Sequence, residues 1–259
     1  MDRARPIVLV PGACLGGWAF RDVARDLRAR GHDVFPVTLT GLGERVHLAS
    51  PGVDLNTHIS DVVGVLDYED LDQVVLVGHS YAGIVITGVE DRSAHRLRAC
   101  VYLDTSPIPD GAALSDVQPP GMREQQRRDV DERGDGWRWP VPDRATLAPG
   151  TYGSISGLSE EHLRAFRERG TPQPYATFTT PVHLKNGATA RAERHAAIFG
   201  TAGGMTVELL RRLLREGDPR ASAFAGSDWE FYELATGHWP MFSAPTALAD
   251  VLHEIAASA

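Results

Sequence analysis

Residues 74–83 read VVLVGHSYAG: four apolar residues, a glycine, and then a serine set among small neighbours. A serine that closes a buried strand and opens a helix must sit in a sharp, strained turn, which only small flanking residues fit and which pushes its hydroxyl out above the sheet. Ser80 is therefore the candidate nucleophile. The helix behind it brings backbone N–H groups and a positive dipole end to any oxyanion formed there. The fifth position of the G-x-S-x-G pattern holds Ala82 in place of glycine, a methyl that the turn is expected to tolerate. Without chemistry, such a serine would simply cap the helix.

A serine hydroxyl is a weak nucleophile until a base removes its proton, and histidine is the side chain suited to that near neutral pH. Of the 10 histidines, His238 stands apart by position, in GHWPMFSAP after the last strand-like run. His47 and His58 lie on the wrong side of the serine in chain order, and His79 is expected to point away into packing. At the first strand, VLVPGACLGGW leaves the sheet on the same edge as Ser80. The amides of Ala13 and Tyr81 are therefore the predicted oxyanion donors, with a ligand-free glycine turn as the alternative. Phosphate binding is disfavoured there because the Walker lysine is absent.

These groups need a scaffold, and the apolar runs describe one. Residues 7–10, 33–37, 73–77, 99–103, 196–200 and 229–234 are rich in Val, Ile, Leu and aromatic residues and read as strands. Helical spacing over 18–30, 55–66 and 83–92 alternates with them. The alternation predicts an α/β fold: a mostly parallel, doubly wound sheet with right-handed crossovers and a crevice at the carboxyl ends of its strands. Between 107 and 185 the pattern breaks into Pro, Gly, Arg and aromatic residues, with GDGWRWPVP at 134–142 and a helix-like stretch at 159–169. An excursion of that length is expected to be an inserted cap, leaving 1–106 and 186–259 as the core. Trp137, Trp139, Tyr175 and Phe178 from this stretch, with Cys14, Trp18 and Tyr81, are candidates to line an apolar pocket.

Composition narrows the partners. The chain has 259 residues, 42% hydrophobic and 23% charged, ordinary values for one globular unit. With 26 Lys+Arg against 34 Asp+Glu, its net charge of −8 repels phosphate backbones and anionic lipid surfaces, so neither nucleic acid nor membrane is expected as a partner. Two cysteines, Cys14 and Cys100, make no disulfide framework and fit a reducing cytoplasm. The apolar run 7–10 after Arg3 and Arg5 is shorter than the roughly 7–15 residues of a signal-peptide core. No stretch reaches the roughly 18 apolar residues of a membrane span. A small-molecule substrate is expected; a homodimer is compatible with the chain.

The segments VLVPGACLGGWAF, LTGLGERVHL, LNTHISDV, VVLVGHSYAG, VYLDTSPIPDG, RGTPQPYATFTTPV and GHWPMFSAP resemble the α/β-hydrolase superfamily. Within it the chain is similar to the branch of plant methylesterases, hydroxynitrile lyases and their bacterial relatives. The resemblance implies esterase-like cleavage of an ester, lactone or related acyl bond in a small, fairly apolar substrate, an aromatic secondary metabolite among the possibilities, with no metal or organic cofactor. Cyanohydrin cleavage in that branch goes with a lysine after the catalytic histidine and a threonine in the first-strand loop. Trp239 and Gly12 stand there, which disfavours it.

The acid of the triad is where the chain departs from its relatives. They carry it after the strand that ends here in AAIFGT, whereas this chain continues Ala202, Gly203, Gly204. Asp104, at the end of VYLD, is the available replacement, since haloalkane dehalogenases and some lipases hold their acid on that strand. A similar aspartate also occurs in relatives that keep the usual acid, where it would bind a backbone amide. Asp218 and Asp228 are outside candidates. The gap points to an alternative to hydrolysis, a lyase, cyclase or carbon–carbon bond reaction on the same scaffold; a ligand-binding protein with a degenerate site, which the superfamily also contains, is the third reading, against which the retained Ser80 and His238 argue.

Overall fold

A computed structural model describes residues 5–147, 151–187, 191–226 and 229–258. Six parallel strands form the sheet: β1 (Ile7–Val10), β2 (Val34–Pro36), β3 (Val74–His79), β4 (Leu97–Leu103), β7 (Arg194–Gly200) and β8 (Trp229–Leu234). β5 (Arg138–Trp139) and β6 (Gln173–Pro174) pair antiparallel as a separate ribbon. The order is β2-β1-β3-β4-β7-β8. The inner strands β1, β3, β4 and β7 are runs buried on both faces, as a parallel sheet covered by helices requires, and the edge strands β2 and β8 are only partly buried. Successive side chains alternate between two cores. Val8, Val10, Val74, Leu76, Cys100 and Tyr102 join one. Ile7, Leu9, Val75, Val77, Val101 and Leu103 join the other.

Helices Leu55–Tyr68, Ala82–Ser93 and Val207–Glu216 cover the first core, through residues such as Ile59, Val85 and Leu210. Arg21–Ala29 and Pro245–Ala257 cover the second, through Val23, Leu27, Leu248 and Leu252. Local chemistry sets several starts: Asp54 accepts the Thr57 amide at 2.9 Å, and Ser159 the His162 amide at 3.2 Å, each capping the helix that follows. The helix expected over 18–30 is divided, a 3₁₀ turn at Gly17–Phe20 preceding Arg21–Ala29. Gly17 packs where a Cβ would lie 2.8 Å from the Pro36 carbonyl oxygen, so the chain turns tightly there before the regular helix begins.

The chain winds one way from β1 to β2 and then back across β1 to β3 and on to β4, so the order reverses between β1 and β3. Such a switch point opens a crevice at the carboxyl ends of the strands. Among the described residues, the long excursion between β4 and β7 contains helices Pro120–Arg133 and Glu160–Arg169, three short α-helical turns and the β5–β6 ribbon. Its apolar residues are continuous with the sheet's cores: Val130, Trp139 and Phe178 join one, Leu147 and Phe166 the other. Among the described residues, no helix is long and apolar enough to cross a membrane.

Candidate active site

Three neighbouring strands end in a non-glycine residue with left-handed backbone: Cys14 after β1 (φ 64°), Ser80 after β3 (φ 51°) and Asp104 after β4 (φ 50°). Strain of that kind persists only where the surroundings over-determine it. Ser80 donates its amide to the Leu103 carbonyl at 3.1 Å, and its own carbonyl accepts the Gly83 amide at 2.9 Å. The turn needs small neighbours: a Cβ on Gly78 would lie 2.8 Å from the Ala82 carbonyl oxygen, and one on Gly83 would lie 2.5 Å from the Thr105 hydroxyl. The Ala82 methyl itself fits, fully buried.

Asp104 is held from three sides. Its amide donates to the Ile198 carbonyl at 2.7 Å. One carboxylate oxygen accepts the Gly200 amide at 3.0 Å, and the other lies 2.5 Å from His238 Nδ1. His238 Nε2 is 2.8 Å from Ser80 Oγ. Burial works to raise the Asp104 carboxyl, but the His238 hydrogen bond and charge, with the Gly200 amide, outweigh it and hold the group below the usual carboxylate range. Facing an ionised carboxylate, Nδ1 carries the imidazole proton. Nε2 is then left as the acceptor for the serine hydroxyl.

The loop bearing His238 is clamped as well. The amides of Gly237 and His238 donate to the carbonyls of Ser156 and Ser154 at 3.1 and 2.8 Å. His79 does not point away: its Nε2 donates to the His238 carbonyl at 2.7 Å, and the two rings lie 4.8 Å apart. Burial and the neighbouring His238 push His79 down to about 3, so it stays neutral. A Cβ on Gly12 would lie 2.7 Å from His79 Nδ1 and 3.1 Å from Ser80 Cβ, which leaves no room for the threonine associated with the lyases. His58 lies one layer out, donating from Nε2 to the Thr40 carbonyl at 2.9 Å and accepting the Tyr81 hydroxyl at Nδ1 at 2.8 Å. Burial depresses it to about 4.

Ser80, His238, Ala13 and Tyr81 all line one cavity of about 290 Å³. Among the described residues, neither the Ala13 nor the Tyr81 amide has a hydrogen-bond acceptor within the protein. Both are thus free to bind an oxyanion. Of the expected pocket residues, Trp139 and Phe178 line the cavity, and Cys14, Trp18, Trp137 and Tyr175 do not. The Cys14 side chain is buried behind the first-strand loop, where its thiol is raised by burial and its amide binds Gln173 Oε1 at 3.0 Å. Trp18 packs on Phe242 with the Arg169 guanidinium over its ring. Trp137 lies under the guanidinium of Arg138. Tyr175 stands behind Phe178, their centroids 6.0 Å apart. Asp218 lies beyond the helix Val207–Glu216, its amide on the Leu213 carbonyl, and Asp228 is outside the described residues.

Sequence reasoning missed Gln118, Met122, Gln126, Tyr152 and Gly153, all of which line the cavity. Gly153, at φ 108°, lies so close under His238 that any Cβ would overlap the imidazole. The one sequence signal for it is a glycine between Tyr152 and Ser154 in an aperiodic stretch. Burial pushes the Tyr152 hydroxyl up to about 12.

Residues 7–251 match the Alpha/beta hydrolase family. The chain is 34% identical over 254 residues to the carbendazim hydrolyzing esterase of Nocardioides sp. (strain SG-4G), covering 95% of this chain and 97% of that protein. It is 26% identical to methylesterase 9 of Arabidopsis thaliana, covering 96% of this chain and 97% of that protein. In structure it is similar to an extracellular alpha/beta-hydrolase from a Paenibacillus species, described as sharing structural and functional homology with tobacco salicylic acid binding protein 2. The TM-score is 0.78 at 19% identity, over 97% of this chain and 98% of that one.

Proposed function

The chain belongs to the alpha/beta hydrolase family, and from that premise we propose that this enzyme hydrolyses a carboxylic ester, or a lactone or related acyl bond, through an acyl-enzyme on Ser80. The observation that carries the reading is the continuous chain Asp104–His238–Ser80, with contacts of 2.5 and 2.8 Å. His238 takes the hydroxyl proton at Nε2 as Ser80 Oγ attacks the carbonyl carbon. The carbonyl oxygen becomes an oxyanion, bound by the Ala13 and Tyr81 amides. The C–O bond to the alcohol then breaks, and His238 delivers the proton to the leaving oxygen. Water repeats the sequence on the acyl-enzyme, giving the acid and restoring Ser80. Asp104 keeps the imidazole in the right tautomer and stabilises its cation.

The substrate is small and fairly apolar, with an aromatic ring. Supporting this are a cavity of about 290 Å³, near the low end of ligand pockets at roughly 300–1,000 Å³, and walls that include Trp139, Phe166 and Phe178. Residues 107–185 act as the cap, a reading supported by their supplying Leu114, Met122, Trp139 and Phe178 to the cavity wall. The same excursion holds the histidine loop through the carbonyls of Ser154 and Ser156. Two buried, unpaired cysteines fit a cytoplasmic site of action. The resemblance to relatives named as esterases fits hydrolysis as the net reaction.

The test is turnover of methyl benzoate in heavy-oxygen water. Hydrolysis through an acyl-enzyme puts one solvent oxygen into benzoate and none into methanol. Label in methanol, or products without label, would contradict it.

A further inference from the structure

The cavity beside Ser80 contains polar groups that the hydrolytic steps do not use. The Oε1 atoms of Gln118 and Gln126 and the hydroxyl of Tyr152 are buried, and among the described residues none has a hydrogen-bond partner. All three residues line the cavity. Gln126 is 1% exposed. Native proteins pair nearly all of their buried polar atoms; of the residues lining this ligand-sized space, His79 has its unpaired Nδ1 against Gly12, and the other three unpaired atoms point to a partner that arrives with the ligand.

Neighbouring residues sharpen the contrast. Gln125, on the same helix Pro120–Arg133, has both ends of its amide engaged: Nε2 donates to Asp129 at 3.1 Å and Oε1 accepts from Arg128 at 2.9 Å. This helix therefore satisfies a glutamine that points away from the cavity. Gln126, one position on and turned inward, is unsatisfied. Tyr152 approaches from the excursion's later part, its ring 5.0 Å from that of Trp139 and its hydroxyl unpaired. Around these atoms the wall is apolar, with Leu114, Met122, Leu147 and Phe166. These three groups add polar atoms to the cavity beyond those of the catalytic residues.

Carboxamide oxygens accept hydrogen bonds, and a phenol either accepts or donates. We infer that the substrate carries an N–H or O–H donor on its ring, away from the scissile carbonyl, and that Gln118, Gln126 and Tyr152 select amino- or hydroxy-substituted aromatic esters over unsubstituted ones. This rests on Ser80 being the nucleophile of that same cavity. A plain aromatic ester would leave the oxygens buried without partners, and a site built to hydrogen-bond a substrate group discriminates strongly against the analogue that lacks it.

The experiment compares kcat/KM for methyl 3-aminobenzoate and methyl 3-hydroxybenzoate with that for methyl benzoate, in the wild type and in Gln126→Leu, Gln118→Leu and Tyr152→Phe. Intrinsic ester reactivity cancels when each variant's ratio is divided by that of the wild type. The expected result is a loss of at least tenfold in the substituted-to-plain ratio for Gln126→Leu, with smaller losses for the other two. Tyr152→Phe, which removes a single oxygen, provides the readout if Gln126→Leu does not fold. A ratio unchanged across the folded variants, with methyl benzoate hydrolysed and Ser80 labelled by a fluorophosphonate, overturns the recognition and leaves the hydrolysis standing. No turnover of any ester together with an unlabelled Ser80 overturns both.

Discussion

Asp104 and His238, 134 positions apart, meet with a carboxylate oxygen 2.5 Å from Nδ1. The carboxylate comes from the end of β4, and Gly200, the last residue of β7, contributes the amide that holds it. The alternative of a lyase, cyclase or carbon–carbon bond reaction rests on an imidazole with no acid partner, and this contact supplies one.

Replacing the acid should therefore be costly without disturbing the fold. Asp104→Asn can still accept the Gly200 amide, yet its amide nitrogen favours the wrong imidazole tautomer. A fall in kcat on the order of 10³–10⁴-fold is expected, with KM little changed. Steady-state kinetics on a p-nitrophenyl ester would read it.

Gly153 should be more sensitive than its place in an irregular loop suggests. With φ 108° and no room for a Cβ beside the His238 ring, Gly153→Ala must displace the imidazole or the loop. A misplacement of about 1 Å in a reacting group can cost about 10²-fold in rate. The expected outcome is a kcat loss of that order with a smaller shift in melting temperature, measured on the same preparation.

The buried neutral histidines make stability depend on pH. His58 and His79 lie at about 4 and about 3, both below the ordinary histidine value. As the pH falls below about 6.5, the unfolded chain takes up protons that the native chain refuses, so stability is lost from there down toward 4. Each histidine contributes a slope of up to about 1.4 kcal/mol per pH unit. Asp104 has the same sign in a lower window: its contribution is present above the unfolded carboxylate value and is lost as pH falls through its depressed native one. Urea midpoints between pH 7 and 4.5 should fall less steeply for His58→Gln than for the wild type.

Phe178 joins the core to the cavity. It is 1% exposed, its ring packing against Tyr81, Trp139 and Tyr175. Phe178→Ala should destabilise by about 3–5 kcal/mol, toward the lower figure because the new void opens into an existing cavity. Denaturant unfolding would measure it.

Much of the scaffold is legible in the sequence because its signals are local. Val, Ile and Leu runs between helical stretches mark the parallel sheet, and the glycine and alanine around Ser80 mark a strained turn. The position of the acid is a different kind of information. Asp104 reaches His238 only because β4 lies between β3 and β7, a neighbour relation that no window around residue 104 contains. The cavity wall was harder still. Trp137 and Tyr175 are aromatic like Trp139 and Phe178, yet pack elsewhere, because a Pro- and Gly-rich excursion has no periodicity from which to assign a face. Gln126 sits on a mostly polar helix, and the one signal that separates it from the solvent-facing Gln125 is its spacing of four from both Met122 and Val130, which puts it on their face.

The most direct measurement is peptide mass mapping after treatment with a fluorophosphonate. A single adduct on the peptide containing Ser80, abolished in Ser80→Ala and slowed severely in His238→Ala, is the expected result. No adduct on protein that still turns over esters, or an adduct on another residue, would contradict a serine nucleophile activated by His238.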